Sequence, residues 1–170
     1  MGPGRGDPAR ARLFPVGIDE HPPVRRVVTG FGPDGRSTTA RDDVVQPVTP
    51  YRDFPGAAMA PVWFTDLPDD VRSTADAALD GAGRRPGRGG TRFYFVRIDP
   101  GAEIPFHTTP TVEYHYVLEG EVTCVLEDGE ATVRAGDVLV QRATPHGWVN
   151  RGDVPFVSVA VMVDVGLDEA

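Results

Sequence analysis

Side chains of the kind that bind metal ions are concentrated in one stretch of this chain of 170 residues. The stretch holds three of the four histidines together with a glutamate: His107, Glu113, His115 and His146. Two or three imidazoles with one carboxylate form a ligand set that divalent Fe, Mn, Co, Ni or Zn accepts, and the version with two imidazoles and open positions is associated with non-haem iron. We therefore expect these four residues to bind one divalent transition metal ion.

Glu113 and His115 are also candidates for proton transfer. They are two residues apart in a run of strand-forming residues, so both side chains project from the same face of the strand. If that face is interior, burial would raise the pKa of a lone glutamate and lower the pKa of a lone histidine, whereas a bound cation keeps the carboxylate ionised and the imidazole neutral. Both residues are therefore predicted to be catalytic.

The elements that must position these residues are strands. After Thr91, runs rich in aromatic and β-branched residues alternate with short turn signals, as in RFYFVRID, EYHYVLEGEVTCVLE, EATVRAGDVLV and PFVSVAVMVDV. Asp128 and Gly129 predict a two-residue hairpin turn whose central positions both need positive φ. Strands separated by turns predict an all-β sandwich or barrel over residues 91–165.

The chain before the barrel has a different character. Residues 1–22 are rich in Gly and Pro and are predicted to be mobile. In residues 23–90, VRRVVTGF, the turn GPDG and RSTTA predict a hairpin or arm, and a short helix is predicted to begin near Asp69 or Asp70. Residues 80–90 form a Gly- and Arg-rich connector.

Some strands are apolar on both faces, which predicts an interface between subunits. If Glu113, His115 and Val117 point into the barrel, the residue that follows each of them points outward. These outward residues are Tyr114, Tyr116 and Leu118. It must then be covered by the N-terminal arm or by another subunit, so we predict a homodimer.

Charge and composition exclude several classes of partner. The formal net charge is −8 at pH 7 and every cationic side chain is Arg, which argues against nucleic acid and against an anionic membrane surface. No apolar span long enough for a membrane helix and no signal-peptide core is visible, and the single cysteine cannot form an internal disulfide. These features predict a soluble, cytoplasmic protein, and the bias toward Arg, Gly, Ala and Asp indicates a GC-rich, bacterial genome.

Two segments carry a family resemblance. Residues 101–120, GAEIPFHTTPTVEYHYVLEG, resemble the first cupin motif, with Gly101, His107, Glu113 and Gly120 at the motif positions and Thr109 where the second histidine is usual. Residues 136–150, GDVLVQRATPHGWVN, are similar to the second motif through Gly136, Asp137, His146 and Asn150, although Arg142 replaces the usual proline and the segment is one residue short. The close spacing of the two motifs resembles microbial single-domain cupins.

The resemblance implies a double-stranded β-helix, the jelly-roll cupin barrel, with an N-terminal strand arm and little helix. It also implies a metal ion held inside the barrel by the residues that match His107, Glu113 and His146. His115 has two interpretations. It either replaces the missing second histidine as a fourth ligand, or it acts as a base or substrate contact beside an ion with three protein ligands.

A small-molecule function follows from this combination. We predict a metal-dependent enzyme acting on an organic biosynthetic intermediate inside the barrel, by Lewis-acid-assisted proton transfer in a dehydration, isomerisation or cyclisation. The alternatives are an Fe(II) dioxygenase using the same site and a non-catalytic binding protein. The candidate substrate contacts are Phe106, Trp148 and Arg97, although packing in the core and solvation of a strand residue are simpler interpretations of these side chains.

Overall fold

A computed structural model describes residues 24–45, 49–50, 54–66, 76 and 85–167 of the chain. Within these ranges the chain forms strands and no helix. The twelve strands are β1 Arg25–Phe31, β2 Ser37–Val44, β3 Thr49–Pro50, β4 Ala57–Thr65, β5 Thr91–Ile98, β6 Glu103–His107, β7 Thr111–Glu119, β8 Glu121–Leu126, β9 Gly129–Arg134, β10 Val138–Arg142, β11 His146–Val149 and β12 Phe156–Asp164. The prediction of an all-β fold is confirmed.

The barrel consists of two antiparallel sheets. One contains six strands in the order β10-β7-β12-β5-β4-β3, and the other contains four in the order β6-β11-β8-β9. Neighbours in each sheet are mostly distant along the chain, as expected when a sheet is rolled so that successive strands alternate between two layers. Buried apolar side chains from both sheets, among them Tyr94, Val117, Val122 and Trp148, pack in one core between the layers.

Gly120 marks the point where the chain passes from one sheet to the other. The run EYHYVLEGEVTCVLE is therefore two strands, β7 in the six-stranded sheet and β8 in the four-stranded sheet. Gly120 has a φ of 66°, and a Cβ atom there would lie 2.3 Å from the carbonyl oxygen of Pro155. Only glycine fits this corner without displacing the backbone.

The turn between β8 and β9 differs by one residue from the prediction. Leu126 pairs with Gly129, so the loop residues are Glu127 and Asp128. Among non-glycine residues in the described ranges, Ala143 alone has a positive φ, so Asp128 does not; Gly129 does, at 99°. A glycine that follows the loop in the left-handed region closes the hairpin in place of the predicted pair of positive φ values.

The predicted N-terminal hairpin is present as β1 paired with β2. Val24 and Val45 at its base pack with Ala60 and Val62 of β4, in a second small core. Arg26 of β1 donates hydrogen bonds to both carboxylate oxygens of Asp43 and to the carbonyl of Val62. The arm is thereby attached to β4 at one side of the large sheet.

The outer face of β7 and β10 remains uncovered by the described part of the arm. Tyr114, Tyr116, Val138 and Val140 are all about half exposed or more on this chain. The predicted homodimer therefore remains a prediction.

Several predictions fall on residues outside the described ranges. These are the mobile segment at residues 1–22, the helix near Asp69 or Asp70, and residues 80–84 of the connector. In the described ranges no helix is both long and apolar enough to cross a membrane.

Candidate active site

A cavity of about 350 Å³ lies between the two sheets. This volume suits a small organic ligand. Most of the wall is apolar and comes from strands of both sheets and from Phe54 before β4; the strand residues are Met59, Val96, Ile98, Ile104, Trp148, Phe156, Ala160 and Met162. The polar side chains of the wall are Arg85, His107, Thr109, Glu113 and His115.

His107 lines this cavity, and His146 lies beside His107 but is not part of the cavity wall. They are register partners on β6 and β11, and their ring centroids are 4.4 Å apart. The Nδ1 atom of His107 lies 2.8 Å from the carbonyl of Pro105. Because a carbonyl oxygen only accepts, Nδ1 carries the proton and the Nε2 atom of His107 is left as an acceptor.

The Nε2 atom of His146 has no hydrogen-bond partner among the described residues, although the side chain is fully buried. Its Nδ1 atom lies 2.9 Å from the carbonyl of Thr144 and 2.8 Å from the amide nitrogen of Gln141. When Nδ1 carries the proton and donates to the carbonyl, Nε2 carries a bare lone pair. Buried polar atoms in proteins nearly always have a partner, so this atom indicates a ligand.

Glu113 and His115 form a buried pair on the inward face of β7. The Nε2 atom of His115 is 3.4 Å from one carboxylate oxygen of Glu113, and the hydroxyl of Thr111 donates to the other oxygen at 3.0 Å. On the far side of the ring, Nδ1 of His115 is 3.4 Å from the hydroxyl of Ser158. These long contacts connect a carboxylate, an imidazole and a hydroxyl in one buried chain.

The pKa shifts of Glu113 and His146 have different causes. Burial alone would raise the pKa of Glu113, but the hydrogen bond from His115, the positive charge that His115 and His146 carry when protonated and the hydroxyl of Thr111 together hold that pKa below its usual range. Burial lowers the pKa of His146. Metal binding requires the ionised form of a carboxylate and the neutral form of an imidazole.

The three candidate substrate contacts have different environments. Trp148 lines the cavity, with its ring centroid 5.3 Å from that of His115 and 5.4 Å from that of His146. Phe106 is 48% exposed and does not line the cavity. Arg97 is buried, lies 2.7 Å from Asp99 and is likewise absent from the wall.

Strand alternation explains why Arg97 and Phe106 lie outside the cavity. Val96 and Ile98 line the cavity, so Arg97 between them points to the opposite face of β5. In the same way Phe106 precedes His107, which points inward. We therefore correct the sequence interpretation of Arg97 and Phe106 and retain Trp148 as a candidate contact.

Two cavity residues were not singled out from the sequence as parts of the site. Arg85 belongs to the Gly- and Arg-rich connector, where no periodicity distinguishes one arginine from its neighbours. Thr109 was noted only as a departure from the first motif, yet it is buried in the wall. Its motif position was the available signal, because that position normally supplies a side chain to the interior.

The donor set fits a divalent transition metal in its chemistry. In the described ranges, no three or more His, Cys, Asp or Glu side chains are arranged closely enough to form a coordination shell. The carboxylate of Glu113 is instead turned toward Thr111 and His115. The feature that fits a metal ligand is the buried Nε2 of His146, which has no hydrogen-bond partner in the described ranges and belongs to a ring beside that of His107.

Comparison with known proteins identifies the fold family. Residues 94–162 match the family model described as Cupin domain. The chain is 28% identical over 160 residues to cupin-domain-containing oxidoreductase fogC of Aspergillus ruber, a match that covers 87% of this chain and 78% of that protein. It is 44% identical over 64 residues to Phomopsin biosynthesis cluster protein D of Diaporthe leptostromiformis, covering 37% of this chain and 34% of the relative.

The chain thus spans about a third of the length of the Diaporthe relative. Both relatives are fungal, so they give no support to the bacterial origin predicted from composition. Among solved structures, the cupin domain of Schizosaccharomyces pombe Cnp3 has a TM-score of 0.52 at 12% identity, covering 82% of this chain and 87% of that one. This likeness shows the fold.

The antiparallel strands rolled into two layers, the match over residues 94–162 and the structural likeness agree with the two motifs read in the sequence. The resemblance to the cupin superfamily predicted from the two motifs is confirmed, and residues 94–162 match the cupin domain.

Proposed function

We propose that this protein is an enzyme of a small-molecule biosynthetic pathway that binds an organic substrate inside the barrel. In this proposal a divalent transition metal ion is the cofactor and a proton is transferred on the substrate. The names of two relatives support a role as a biosynthetic enzyme, since one is named for a biosynthesis cluster and the other is named an oxidoreductase.

The observation that carries the proposal is the buried Glu113–His115 pair in an otherwise largely apolar cavity. An apolar wall excludes water and so strengthens every electrostatic interaction with a polar group of the substrate. Buried ionisable groups with a specific charge partner are characteristic of catalytic sites. The wall would bind the apolar body of the substrate, and the pair would contact its reactive end.

Three side chains are the proposed metal ligands: His107, Glu113 and His146. His107 and His146 each present Nε2 with Nδ1 already hydrogen-bonded to a backbone carbonyl, the arrangement that orients metal-binding imidazoles. When bound, the ion would polarise a carbonyl oxygen of the substrate as a Lewis acid.

His115 is the proposed proton carrier. Its Nε2 faces Glu113 and its Nδ1 faces the hydroxyl of Ser158, so one nitrogen can gain a proton while the other loses one. A base with this position would remove a proton from a carbon next to a carbonyl and return it elsewhere, which covers dehydration, isomerisation and ring closure. The residue is accordingly a catalytic residue in this proposal and is not needed as a fourth ligand.

A second candidate function is oxygen-dependent oxidation with Fe(II). The observation that favours it is that the Aspergillus relative is named a cupin-domain-containing oxidoreductase. The same two imidazoles and one carboxylate would bind the iron. Oxygen consumption by the Fe(II)-loaded protein with candidate substrates separates the two functions.

Metal binding tests the core of the proposal. The full chain is purified without air, stripped with a chelator and titrated with Co(II), with the visible spectrum as the readout. We expect about one Co(II) per chain, loss of binding in H107A and H146A, and unchanged binding in H21A, which removes a histidine outside both motifs. Binding that survives in both H107A and H146A contradicts the site.

A further inference from the structure

A strained turn lies directly before His146. Ala143 has a φ of 54°, the one positive value found for a non-glycine residue in the described ranges. The left-handed region costs an L-residue about 1–2 kcal/mol, so surrounding contacts must hold the turn in place. The backbone N–H of Ala143 donates to the carbonyl of Thr111 at 3.0 Å and lies 2.9 Å from the side-chain oxygen of Gln141.

Gln141 is the side chain that holds the turn from within. It is only 3% exposed and lies on β10 opposite Glu113 in the strand register. Its amide oxygen accepts from Ala143, and its amide nitrogen donates to the carbonyl of Thr144 at 2.6 Å. Both ends of one buried amide are therefore used on the turn that leads into β11.

The same carbonyl orients the ring of His146. Nδ1 of His146 lies 2.9 Å from the carbonyl of Thr144 and 2.8 Å from the amide nitrogen of Gln141. An unprotonated Nδ1 would accept from that nitrogen, whereas a protonated Nδ1 donates to the carbonyl beside the amide, so that two donors converge on one oxygen. Because Gln141 fixes the direction of that oxygen, the carbonyl favours a proton on Nδ1, which leaves Nε2 bare.

We infer that Gln141 is a positioning residue, which holds the Thr144 carbonyl so that His146 presents an unprotonated Nε2 to the site. Gln141 is buried and its amide contacts the turn and the ring of His146, so it acts through His146 and not on a ligand. The inference builds on the proposed function, because a bare Nε2 is what a metal ion or a substrate proton donor would need.

The experiment measures the tautomer of His146 directly, by nitrogen chemical shifts in the metal-free full-length protein labelled with ¹⁵N. In the wild type we expect Nδ1 to be protonated and Nε2 to be bare. In Q141M, which keeps the length of the side chain but removes both hydrogen bonds, we expect a mixture of tautomers. R142Q changes the neighbouring exposed residue and serves as the matched control.

Co(II) affinity is the second readout. Loss of the partner that orients a metal-binding histidine weakens metal binding about 10- to 100-fold, and we expect this loss in Q141M but not in R142Q. If Q141M does not fold, Q141L takes its place, since it also removes both hydrogen bonds and adds no new acceptor beside Nδ1.

Two results overturn the inference. One is a wild-type His146 protonated on Nε2. The other is a Q141M or Q141L protein in which His146 keeps the wild-type tautomer. If the wild type fails to bind Co(II), the proposed metal ion is wrong, but the tautomer measurement still decides the role of Gln141.

Discussion

His107 and His146 are paired across β6 and β11 with ring centroids 4.4 Å apart, although they are far apart in sequence. The pairing includes a bulge, because His146 pairs with His107 whereas Trp148, two residues on, pairs with Ile104, three residues back. The extra residue in β6 lets both Ile104 and His107 face the cavity. The bulge therefore brings the second imidazole into the site.

The first prediction is that a metal ion bound between these histidines stabilises the fold. A ligand at a hundred times its dissociation constant adds about 2.7 kcal/mol to the free energy of unfolding. For a chain of this size each kcal/mol raises the melting temperature by roughly 2–4 °C. Differential scanning calorimetry with excess Zn(II) or Co(II) should therefore show a melting temperature higher by about 5–11 °C.

The matched controls for this prediction are H146A and H21A. The shift should disappear in H146A and persist in H21A, whose altered residue lies outside the motifs. A shift of equal size in H146A would mean that the ion binds elsewhere on the protein.

The strand pattern and the two motifs were enough to predict the barrel and the interior face of β7. Glu113 and His115 are both inward because alternation along a strand is strict, and the outward exposure of Tyr114 and Tyr116 follows from the same rule. The same rule explains why Arg97 is not a substrate contact. Its neighbours Val96 and Ile98 face the cavity, so Arg97 points to the other face of the strand.

Other parts of the site depend on features that have no local signal. Arg85 reaches the cavity from a Gly-rich segment, where the backbone path depends on tertiary packing. The contact between Gln141 and Thr144 depends on the positive φ of Ala143. Alanine rarely adopts a positive φ, so the sequence does not predict this turn. The bulge in β6 is likewise a property of pairing with β11 and cannot be read from β6 alone.

The second prediction concerns Gly120, the last glycine of the first motif. G120A places a Cβ atom in the left-handed region and 2.3 Å from the carbonyl oxygen of Pro155. The backbone strain costs about 1–2 kcal/mol and the steric overlap roughly 1–3 kcal/mol more. Urea denaturation should show a loss of roughly 2–5 kcal/mol.

G101A is the control that separates the two costs. Gly101 also has a positive φ, of 76°, but a Cβ atom there meets nothing within 4 Å. The G101A protein should lose only the backbone contribution to the free energy of unfolding, about 1–2 kcal/mol. Equal losses of unfolding free energy in G120A and G101A would contradict the prediction, because they would show that the backbone at Gly120 can move to accommodate a Cβ atom.

The third prediction is that a second copy of the chain covers the outer face of β7 and β10. Tyr114 pairs with Val140 and Tyr116 with Val138, so the four side chains form one continuous apolar patch. Val138 is the most exposed of the four, at 69%, and burying a charge there would oppose association. Sedimentation should show a dimer for the wild type and a monomer for V138D.

V154D is the control for the dimer. Val154 is also exposed, at 45%, but it belongs to the segment before β12 and not to the patch. It should sediment like the wild type. A monomeric wild type, or a V138D protein that remains dimeric, contradicts the prediction.

The fourth prediction concerns the buried thiol of Cys124. Burial, with a smaller effect of the charge on Glu113, raises the pKa of this thiol to about 11. In the unfolded chain a cysteine has a pKa of about 8.5. Between these values the folded state binds more protons than the unfolded state, so the free energy of unfolding falls as pH rises, and the full contribution is present only below the unfolded pKa.

Comparison of the wild type with C124A isolates this effect from other groups that titrate in alkali. From pH 8 to pH 10 the stability of the wild type relative to C124A should fall by at most about 2 kcal/mol, since each pKa unit corresponds to about 1.4 kcal/mol. Urea denaturation at both pH values measures the difference. Because the folded thiol stays protonated, iodoacetamide should also alkylate Cys124 at pH 8 far more slowly than in the unfolded chain. A pH-independent difference in stability together with rapid alkylation of the folded protein would show that the thiol is accessible and ionised.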